Sequence, residues 1–272
     1  MQLISVIVTT YNWPQALLLC LKSLYAQTDE HFEIIIADDG SRPENLALIE
    51  AMLSAAPVKV QLAHHADLGF RAAAIRNKAV ALSQGEYLVF VDGDCVLPRD
   101  FIAQHRTLAE QGYFVPGNRV LLSQQYTHQV LQDNIELQQL SRGYLGLMWL
   151  QGNINRISAL MRLPLGALRK WRPKKWQQAM TCNLAIWRSD FIQINGFDEI
   201  FEGWGYEDSD LVIRLIHQGV KRKEGRFALP VFHLWHAQND RSQETSNLER
   251  LHARLADKHI IRAAQGVSQY IE

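Results

Sequence analysis

Short apolar runs alternate with longer amphipathic stretches through the first 95 residues of the chain. Apolar runs of this length, rich in Val and Ile, are typical of strands buried on both faces of a parallel sheet. Between them, apolar residues recur at helical spacing, which predicts helices packed on that sheet. The predicted strands cover 3–9, 32–37, 58–62 and 87–91, and the predicted helices begin near Pro14 and cover 44–53 and 71–82.

This alternation predicts an α/β domain with a Rossmann-like, mostly parallel sheet flanked by helices. In such sheets ligands bind beyond the carboxyl ends of the strands, where the strand order reverses. Asp38 and Asp39 follow the second predicted strand, and Asp92-Gly93-Asp94 follows the fourth. We therefore expect both acidic clusters to lie at a ligand site.

The second half of the chain is less regular. Residues 137–189 contain no Asp or Glu but nine Lys and Arg, interleaved with bulky apolar residues. We predict a helical basic insert at about 138–178, strands near 181–187 and 227–235, and helices at 210–218 and 249–264. Three interpretations of the insert stay open: a helical hairpin with a solvated basic face, a surface that lies on an anionic membrane, or a grip on a phosphorylated or carboxylated acceptor.

Composition narrows the class of protein. The 272 residues are 47% hydrophobic with a net charge of zero, so a large core is expected and a general attraction to nucleic acid is not. Three widely spaced cysteines argue against a disulfide framework or a zinc ribbon and fit a reducing compartment. The first residues read as a strand rather than a signal peptide, and there is no run of 18 apolar residues. We expect a cytoplasmic protein, with peripheral contact on the inner face of the cytoplasmic membrane as an open alternative.

The chemistry-bearing residues suggest a metal site. Asp92 and Asp94, one residue apart at a strand end, are able to converge on one Mg²⁺ or Mn²⁺, with Gly93 allowing a tight turn. Such a cation would stabilise a departing diphosphate. His236 is our preferred third ligand, and His233 is the alternate.

Other polar residues suggest a nucleotide and a general base. Asp38 and Asp39 are candidates to bind a uracil or a ribose, or else they form a polar turn. The end of the first strand would flank the same base. Asp208, next to Glu207 at the start of a helix, is a candidate general base, and Trp204 offers a flat face to a sugar ring. The residues at the end of the first strand are Thr10, Tyr11 and Asn12.

Taken in order, these motifs resemble the family 2 glycosyltransferases with a GT-A fold. The segments that carry the resemblance are VIVTTYN at 6–12, IADDGS at 36–41, GFRAAAIRN at 69–77 and GEYLVFVDGD at 85–94. The endings GFDE at 196–199, GWGYEDSD at 203–210 and HLWH at 233–236 resemble those of galactosyltransferases and N-acetylgalactosaminyltransferases, as in chondroitin-synthesising enzymes.

The resemblance implies a role for each matching position. Asp39 would contact the uracil with Asp38 beside it, and Arg71 or Arg76 would approach the base or the diphosphate. Asp92 and Asp94 would hold the nucleotide and a divalent cation, which His236 would also bind. Asp208 would be the catalytic base, and Glu207 would contact sugar hydroxyls.

The resemblance also implies an inverting transfer from a UDP-sugar, with galactose, N-acetylgalactosamine or glucose favoured. The expected acceptor is a glycan or glycolipid, such as a lipid-linked surface polysaccharide or a lipopolysaccharide precursor. Residues 1–95 would form the nucleotide-binding half, 96–236 the acceptor-binding half, and 237–272 a C-terminal helical extension. A non-catalytic sugar-nucleotide or glycan-binding module and a nucleotidyltransferase are the alternatives. The second would need a Gly-rich phosphate loop where Tyr11-Asn12-Trp13-Pro14 stands.

Overall fold

The computed structural model describes residues 2–54, 56–237 and 240–271. The strands are β1 (Ile4–Thr10), β2 (Phe32–Asp38), β3 (Val60–His64), β4 (Tyr87–Asp92), β5 (Cys95–Val96), β6 (Tyr113–Pro116), β7 (Asn118–Leu121), β8 (Asn183–Trp187), β9 (Lys221–Arg222) and β10 (Pro230–His233). The helices are α1 (Pro14–Tyr25), α2 (Pro43–Ser54), α3 (Ala72–Leu82), α4 (Phe101–Leu108), α5 (Gln124–Asp133), α6 (Arg142–Leu150), α7 (Arg188–Gln193), α8 (Glu207–His217) and α9 (Glu244–Ala256).

The main sheet has the order β3-β2-β1-β4-β8-β6-β9. Its pairs are parallel except on the two sides of β8, which runs antiparallel to β4 and β6. The chain leaves β1 towards β2 and β3 and returns to its other side as β4, so the strand order reverses between β1 and β4. Thr9 pairs with Asp92 and Thr10 with Asp38 at this point. The predicted mostly parallel sheet is confirmed, and both acidic clusters lie at the edge where the strand order reverses.

The strand sequences explain why both faces of the sheet are covered. Along β1, Val6 and Val8 pack into one apolar cluster with α1, whereas Ile7 packs into a second cluster with α3 and α8. Successive side chains of a strand point to opposite faces, so an unbroken apolar run fills both layers. This three-layer packing holds the carboxyl ends of β1 and β4 rigidly beside each other.

A smaller sheet with the order β5-β10-β7 lies beside that edge. Strand β10 pairs with β5 antiparallel, with His233 opposite Cys95, and with β7 parallel. The short strand β5 begins immediately after Asp94, so the pairing places the end of β10 next to the second acidic cluster. A third apolar cluster, which includes Val120, Tyr126 and Phe232, supports this sheet from below.

The basic insert is less helical than its composition suggests. Within 138–178, α6 is the one α-helix of the described residues, and the other helical pieces are short 3₁₀ turns. Pro164, Pro173 and glycines with positive φ at 152 and 166 interrupt longer helices. The structure therefore contains no helical hairpin within the described part of this segment. Helix α9 also begins and ends earlier than the predicted 249–264, and across the described residues no helix has the length and apolar character needed to cross a membrane.

Candidate functional site

A cleft of about 880 Å³ opens at the carboxyl ends of β1 and β4 and is bordered by the small sheet and the start of α8. Three residues predicted for the site do not line it: Asn12, Asp38 and Arg71. The cleft brings together the remaining predicted residues, which are Thr10, Tyr11, Asp39, Arg76, Asp92, Gly93, Asp94, Trp204, Glu207, Asp208, His233 and His236.

Asn12 and Asp38 shape one wall from behind. The buried Asp38 carboxylate accepts hydrogen bonds from the backbone N–H and the hydroxyl of Ser41, and it contacts His64 Nδ1 at 2.7 Å. Asn12 Oδ1 accepts from the Arg42 N–H at 2.8 Å. Both side chains therefore hold the loop that follows β2 in place behind the cleft wall.

Asp39 is the acidic residue of that loop which reaches the cleft. One carboxylate oxygen contacts His65 Nε2 at 2.7 Å, and the other accepts the Arg71 backbone N–H at 2.9 Å. The Arg71 guanidinium turns away and donates to the carbonyl of Ala66. Tyr11 is half exposed beside Asp39, and its hydroxyl donates to Asp67, which raises the pKa of Tyr11. Asp39 and Tyr11 thus form an oriented polar and aromatic wall.

Arg76 is the cation at the centre of the cleft. Its buried guanidinium donates to the Thr9 hydroxyl at 3.0 Å, to Glu207 at 3.1 Å and to Asp92 at 3.2 Å. A guanidinium presents its donors in a fixed planar fork, so these bonds fix both carboxylates at once. The sequence did not decide whether Arg71 or Arg76 approaches the ligand site. In the structure Arg76 lies in the cleft and links Asp92 to α8.

Gly93 is required by a close backbone approach. Its N–H donates to the Thr9 carbonyl at 2.7 Å, and a Cβ at this position would lie 3.0 Å from that oxygen. The approach lets Asp92 and Asp94 leave β4 in a tight turn. Both carboxylates consequently line the same cleft.

Asp94 lies between two imidazoles. His233 Nε2 is 3.6 Å from Asp94 Oδ1, and His236 Nε2 is 3.6 Å from Asp94 Oδ2. Each histidine donates its Nδ1–H to a backbone carbonyl, of Leu234 and Ala237 respectively, because a carbonyl oxygen only accepts. Each Nε2 in the neutral ring then presents a lone pair towards Asp94, the tautomer that a metal ligand requires. One carboxylate and two such nitrogens fit a divalent cation such as Mn²⁺ or Zn²⁺.

Cys95 also lies near this group, and its sulfur is within reach of Asp94 and His233. The pKa of the Cys95 thiol is raised well above its usual range, mainly by burial and secondly by the negative charge of Asp94. The Cys95 sulfur lies 3.7 Å from the Cys182 carbonyl and 3.9 Å from Asp94 Oδ1, so the thiol has hydrogen-bond acceptors within the protein. Because it is also fully buried, we assign it to packing.

Asp208 lies at the start of α8 and faces the cleft. Its Oδ1 accepts the Ser209 backbone N–H at 2.6 Å, and no described group donates to Oδ2. Burial, together with the neighbouring charge of Glu207, raises the pKa of Asp208 to about 7, against the opposing effects of Arg76 and the Ser209 N–H. A carboxylate with a free oxygen and a pKa near neutrality is suited to accept a proton.

Trp204 lines the cleft, but one face of its ring is covered. The Arg241 guanidinium carbon is 4.3 Å from the centre of the indole, a cation–π contact. The predicted sugar-stacking surface is therefore limited to the other side of the ring. Sequence reasoning missed Arg241, because no local pattern relates the segment before α9 to position 204.

Other missed residues include His65, which holds Asp39, and the segment 178–182, which lines the cleft just before β8. A usable signal existed for 178–182. Since β8 runs antiparallel to β4, its first residue must lie near the end of β4, where Asp92 stands. His65 directly follows β3, so its position at the same sheet edge was also accessible.

A buried ionic cluster fixes α8 under the cleft. Asp210 is paired with Arg214 at 2.7 Å and with Arg254 of α9 at 2.8 Å, and Arg254 also pairs with Asp198. These side chains are buried, so each charge depends on its partners for the solvation it has lost. The cluster connects the C-terminal helix to the helix that presents Glu207 and Asp208.

We predict that Arg254→Met lowers the free energy of unfolding by about 3–5 kcal/mol, because two buried carboxylates would lose a partner. Urea denaturation checks this. Lys258→Met, an exposed cation just after the same helix, is the control and should change stability by less than about 1 kcal/mol. Equal effects of the two substitutions would contradict the assignment of the cluster.

Two family models match the chain. Residues 5–191 match "Glycosyl transferase family 2", and residues 164–237 match "N-terminal domain of galactosyltransferase". Among curated proteins, the chain is 28% identical over 229 residues to validoxylamine A glucosyltransferase of Streptomyces hygroscopicus subsp. jinggangensis. That alignment covers 80% of this chain and 52% of the relative, so the chain spans about half the relative's length.

Solved structures agree on the fold. Residues 1–349 of S. aureus TarS, in complex with UDP-GlcNAc, superpose with a TM-score of 0.61 at 14% identity, over 99% of this chain and 69% of that TarS chain. The mannosyltransferase PcManGT of Pyrobaculum calidifontis, in complex with GDP-Man and Mn²⁺, superposes with a TM-score of 0.60 at 17% identity. The superposition covers 95% of this chain and 67% of the PcManGT chain. At these identities the likeness establishes the GT-A fold alone.

Proposed function

Because the chain belongs to glycosyl transferase family 2, we propose that it transfers a hexose or an N-acetylhexosamine from a UDP-sugar to a hydroxyl of a glycan acceptor. The observation that carries this proposal is the convergence, in one cleft, of Asp39 on one wall, the Asp92–Asp94 turn in the centre and Asp208 opposite. In the proposed reaction Asp39 binds the base, the Asp92–Asp94 turn holds the diphosphate with its cation, and Asp208 accepts a proton.

The donor side is supported by Asp39 and Tyr11. A carboxylate held by His65 and a backbone N–H is oriented to accept the imide N–H of uracil, and Tyr11 offers a half-exposed ring beside it. TarS, with the same fold, has been solved with UDP-GlcNAc. The galactosyltransferase-type match at 164–237 favours UDP-galactose, UDP-N-acetylgalactosamine or UDP-glucose.

The cation would be held by Asp94 together with His236 and His233, with Asp92 on the side of Arg76. When bound, Mn²⁺ or Mg²⁺ supplies positive charge that stabilises the departing diphosphate. PcManGT has been solved with Mn²⁺ and its nucleotide sugar, which supports the same requirement here. The paired imidazoles favour Mn²⁺ over Mg²⁺, since Mg²⁺ prefers oxygen ligands.

In the transfer step Asp208 accepts the proton of the acceptor hydroxyl, whose oxygen attacks the anomeric carbon as the bond to the diphosphate breaks. A single displacement of this kind inverts the anomeric centre. Arg76 holds Glu207 and Asp92 in place, so the base and the diphosphate side keep a constant separation. Glu207 keeps one carboxylate oxygen on Arg76 and has a second available for a sugar hydroxyl.

A lipid-linked surface polysaccharide or lipopolysaccharide precursor is the acceptor class that we propose. The support comes from residues 137–189, which hold nine cations and no acid, and from the exposed apolar side chains among them. An acceptor attached to an anionic membrane would be compatible with such a surface.

The donor proposal predicts that one UDP-sugar stabilises the protein in the presence of Mn²⁺ and is slowly hydrolysed to UDP. At about 100 times its dissociation constant, a donor should add roughly 2.7 kcal/mol to the free energy of unfolding. A thermal-shift panel of nucleotide sugars, combined with a UDP-release assay, measures both effects. Stabilisation without UDP release, with or without a range of glycan acceptors, would favour a binding module instead.

A further inference from the structure

One turn of the basic insert is anchored from the inside. Gly166–Lys170 forms a 3₁₀ helix in which Arg169 is buried. The Arg169 guanidinium donates to the backbone carbonyls of Glu224, Arg226 and Leu163. An arginine that satisfies three carbonyls beneath a turn fixes which side of that turn faces outward.

The outward side carries bulky apolar residues. Leu168 is 61% exposed and Trp171 is 75% exposed. In a 3₁₀ helix, side chains three residues apart lie on the same face, so Leu168 and Trp171 project together. Exposing a leucine and a tryptophan side by side on a rigid turn is costly in water and needs a reason.

Unpaired positive charge follows the apolar pair directly. Arg172 and Lys174 are exposed, and within the described residues neither forms an ion pair. Lys170, in contrast, is bound to Glu110. Residues 137–189 contain no Asp or Glu, and the acids beside the turn, Glu110 and Glu224, face Lys170 and Arg169 rather than forming an ion pair with Arg172 or Lys174 among the described residues.

The turn is separate from the cleft. Among the described residues, none between 163 and 177 lines the cleft, whereas Gln178 and the four residues after it do. A grip on an acceptor bound in the cleft is therefore a poor explanation for Leu168 and Trp171. The combination of an apolar face and adjacent cations is instead typical of a site that inserts into a membrane interface.

We propose that this docking turn, defined as Leu168, Trp171, Arg172 and Lys174, binds the surface of a bilayer that contains anionic lipid headgroups. Trp171 and Leu168 enter the boundary between headgroups and acyl chains, and Arg172 and Lys174 contact the phosphates. The inference rests on the proposed function only in so far as a lipid-linked acceptor gives the docking a purpose.

Vesicle co-sedimentation of the full chain tests the proposal, with phosphatidylcholine vesicles that contain or lack phosphatidylglycerol. We expect binding to the anionic vesicles alone. Neutralising the pair by Arg172→Gln and Lys174→Gln should weaken binding about 30-fold, since each basic residue at an anionic surface contributes about 1 kcal/mol. Trp171→Ala should weaken it at least about tenfold, because the ring no longer leaves water.

The matched controls remove the same chemistry elsewhere on the surface. Leu48→Ala on α2 removes a half-exposed apolar side chain, and Lys258→Gln with Arg262→Gln removes two exposed cations. Unchanged binding in the docking-turn variants, or equal losses in these controls, would overturn the proposal. So would a dimer that Trp171→Ala dissociates, since the turn would then be an interface between copies.

Donor assays separate this proposal from the proposed function. Because the docking turn lies outside the cleft, its variants should keep the UDP-sugar thermal shift of the unaltered chain. Failure to bind anionic vesicles with intact UDP release would overturn the docking proposal alone. Vesicle binding without UDP release from any donor would support the docking turn and count against the transferase.

Discussion

Replacing Asp208 with Asn is expected to lower kcat by about 10²–10⁴-fold, the usual contribution of a positioned general base. The amide is nearly isosteric with the carboxyl group, so the Ser209 N–H keeps an oxygen acceptor, but the side chain is unable to take a proton. Among the described residues, Asp208 forms no hydrogen bond with a residue that we propose to hold the donor. The UDP-sugar thermal shift should therefore survive while UDP formation falls.

The pH dependence gives this prediction a second readout. Burial raises the pKa of Asp208 to about 7, and the base is active only when it is ionised. The rate should thus fall as the pH drops through 7, approaching a tenfold loss per pH unit, and Asp208→Asn should remove this acidic limb. Asp190→Asn is the matched control, because burial also raises the pKa of Asp190 but this carboxyl does not line the cleft, so the acidic limb should remain. A kcat within tenfold of the unaltered chain for Asp208→Asn would show that another group is the base.

The sheet edge that carries the proposed donor residues was predictable because buried parallel strands have a strong sequence signal. The predicted 3–9, 32–37 and 87–91 became Ile4–Thr10, Phe32–Asp38 and Tyr87–Asp92, each shifted by no more than one residue. Because the carboxyl ends of parallel strands lie at one edge of a sheet, Asp39 and Asp92 were expected at the same edge. The family resemblance and the GT-A fold drawn from these motifs are confirmed.

The proposed metal site depends on a contact that local sequence patterns do not encode. His233 reaches Asp94 because β10 pairs with β5, and β5 has only two residues. A strand of two residues has no periodicity from which to predict it. The motif at 233–236 indicated which residue types to expect, whereas their placement on both sides of Asp94 required the fold.

The insert shows a different limit of sequence reasoning. Its eight cations suggest a uniformly basic surface, but the Arg169 guanidinium is bound by backbone carbonyls and Lys170 is paired with Glu110. Carbonyl groups are present at every residue and leave no trace in a charge pattern. The sequence alone therefore does not show which cations of the insert are available to a partner. That depends on the position of Arg169 on the inner side of its turn.

Replacing Asp94 with Asn is expected to abolish the Mn²⁺ dependence of donor binding and to lower the rate of UDP formation by about 10³-fold, since a catalytic cation supplies several kcal/mol of charge stabilisation. The Asp94 carboxylate lies between the two Nε2 atoms, and the amide removes its charge with little change of shape. Isothermal titration with Mn²⁺ and the thermal shift with UDP-sugar measure the loss.

Cys95→Ala is the control for this substitution, because it alters the same buried pocket without removing a predicted ligand. It should retain Mn²⁺ binding, and His236→Ala and His233→Ala should each weaken it, since their Nε2 atoms lie at equal distances from Asp94. Loss of Mn²⁺ binding in Cys95→Ala with retention in both histidine variants would place the cation on the sulfur side of Asp94. If Asp94→Asn retained Mn²⁺ binding, the cation site would have to lie elsewhere, because no carboxylate charge would remain between the two imidazoles.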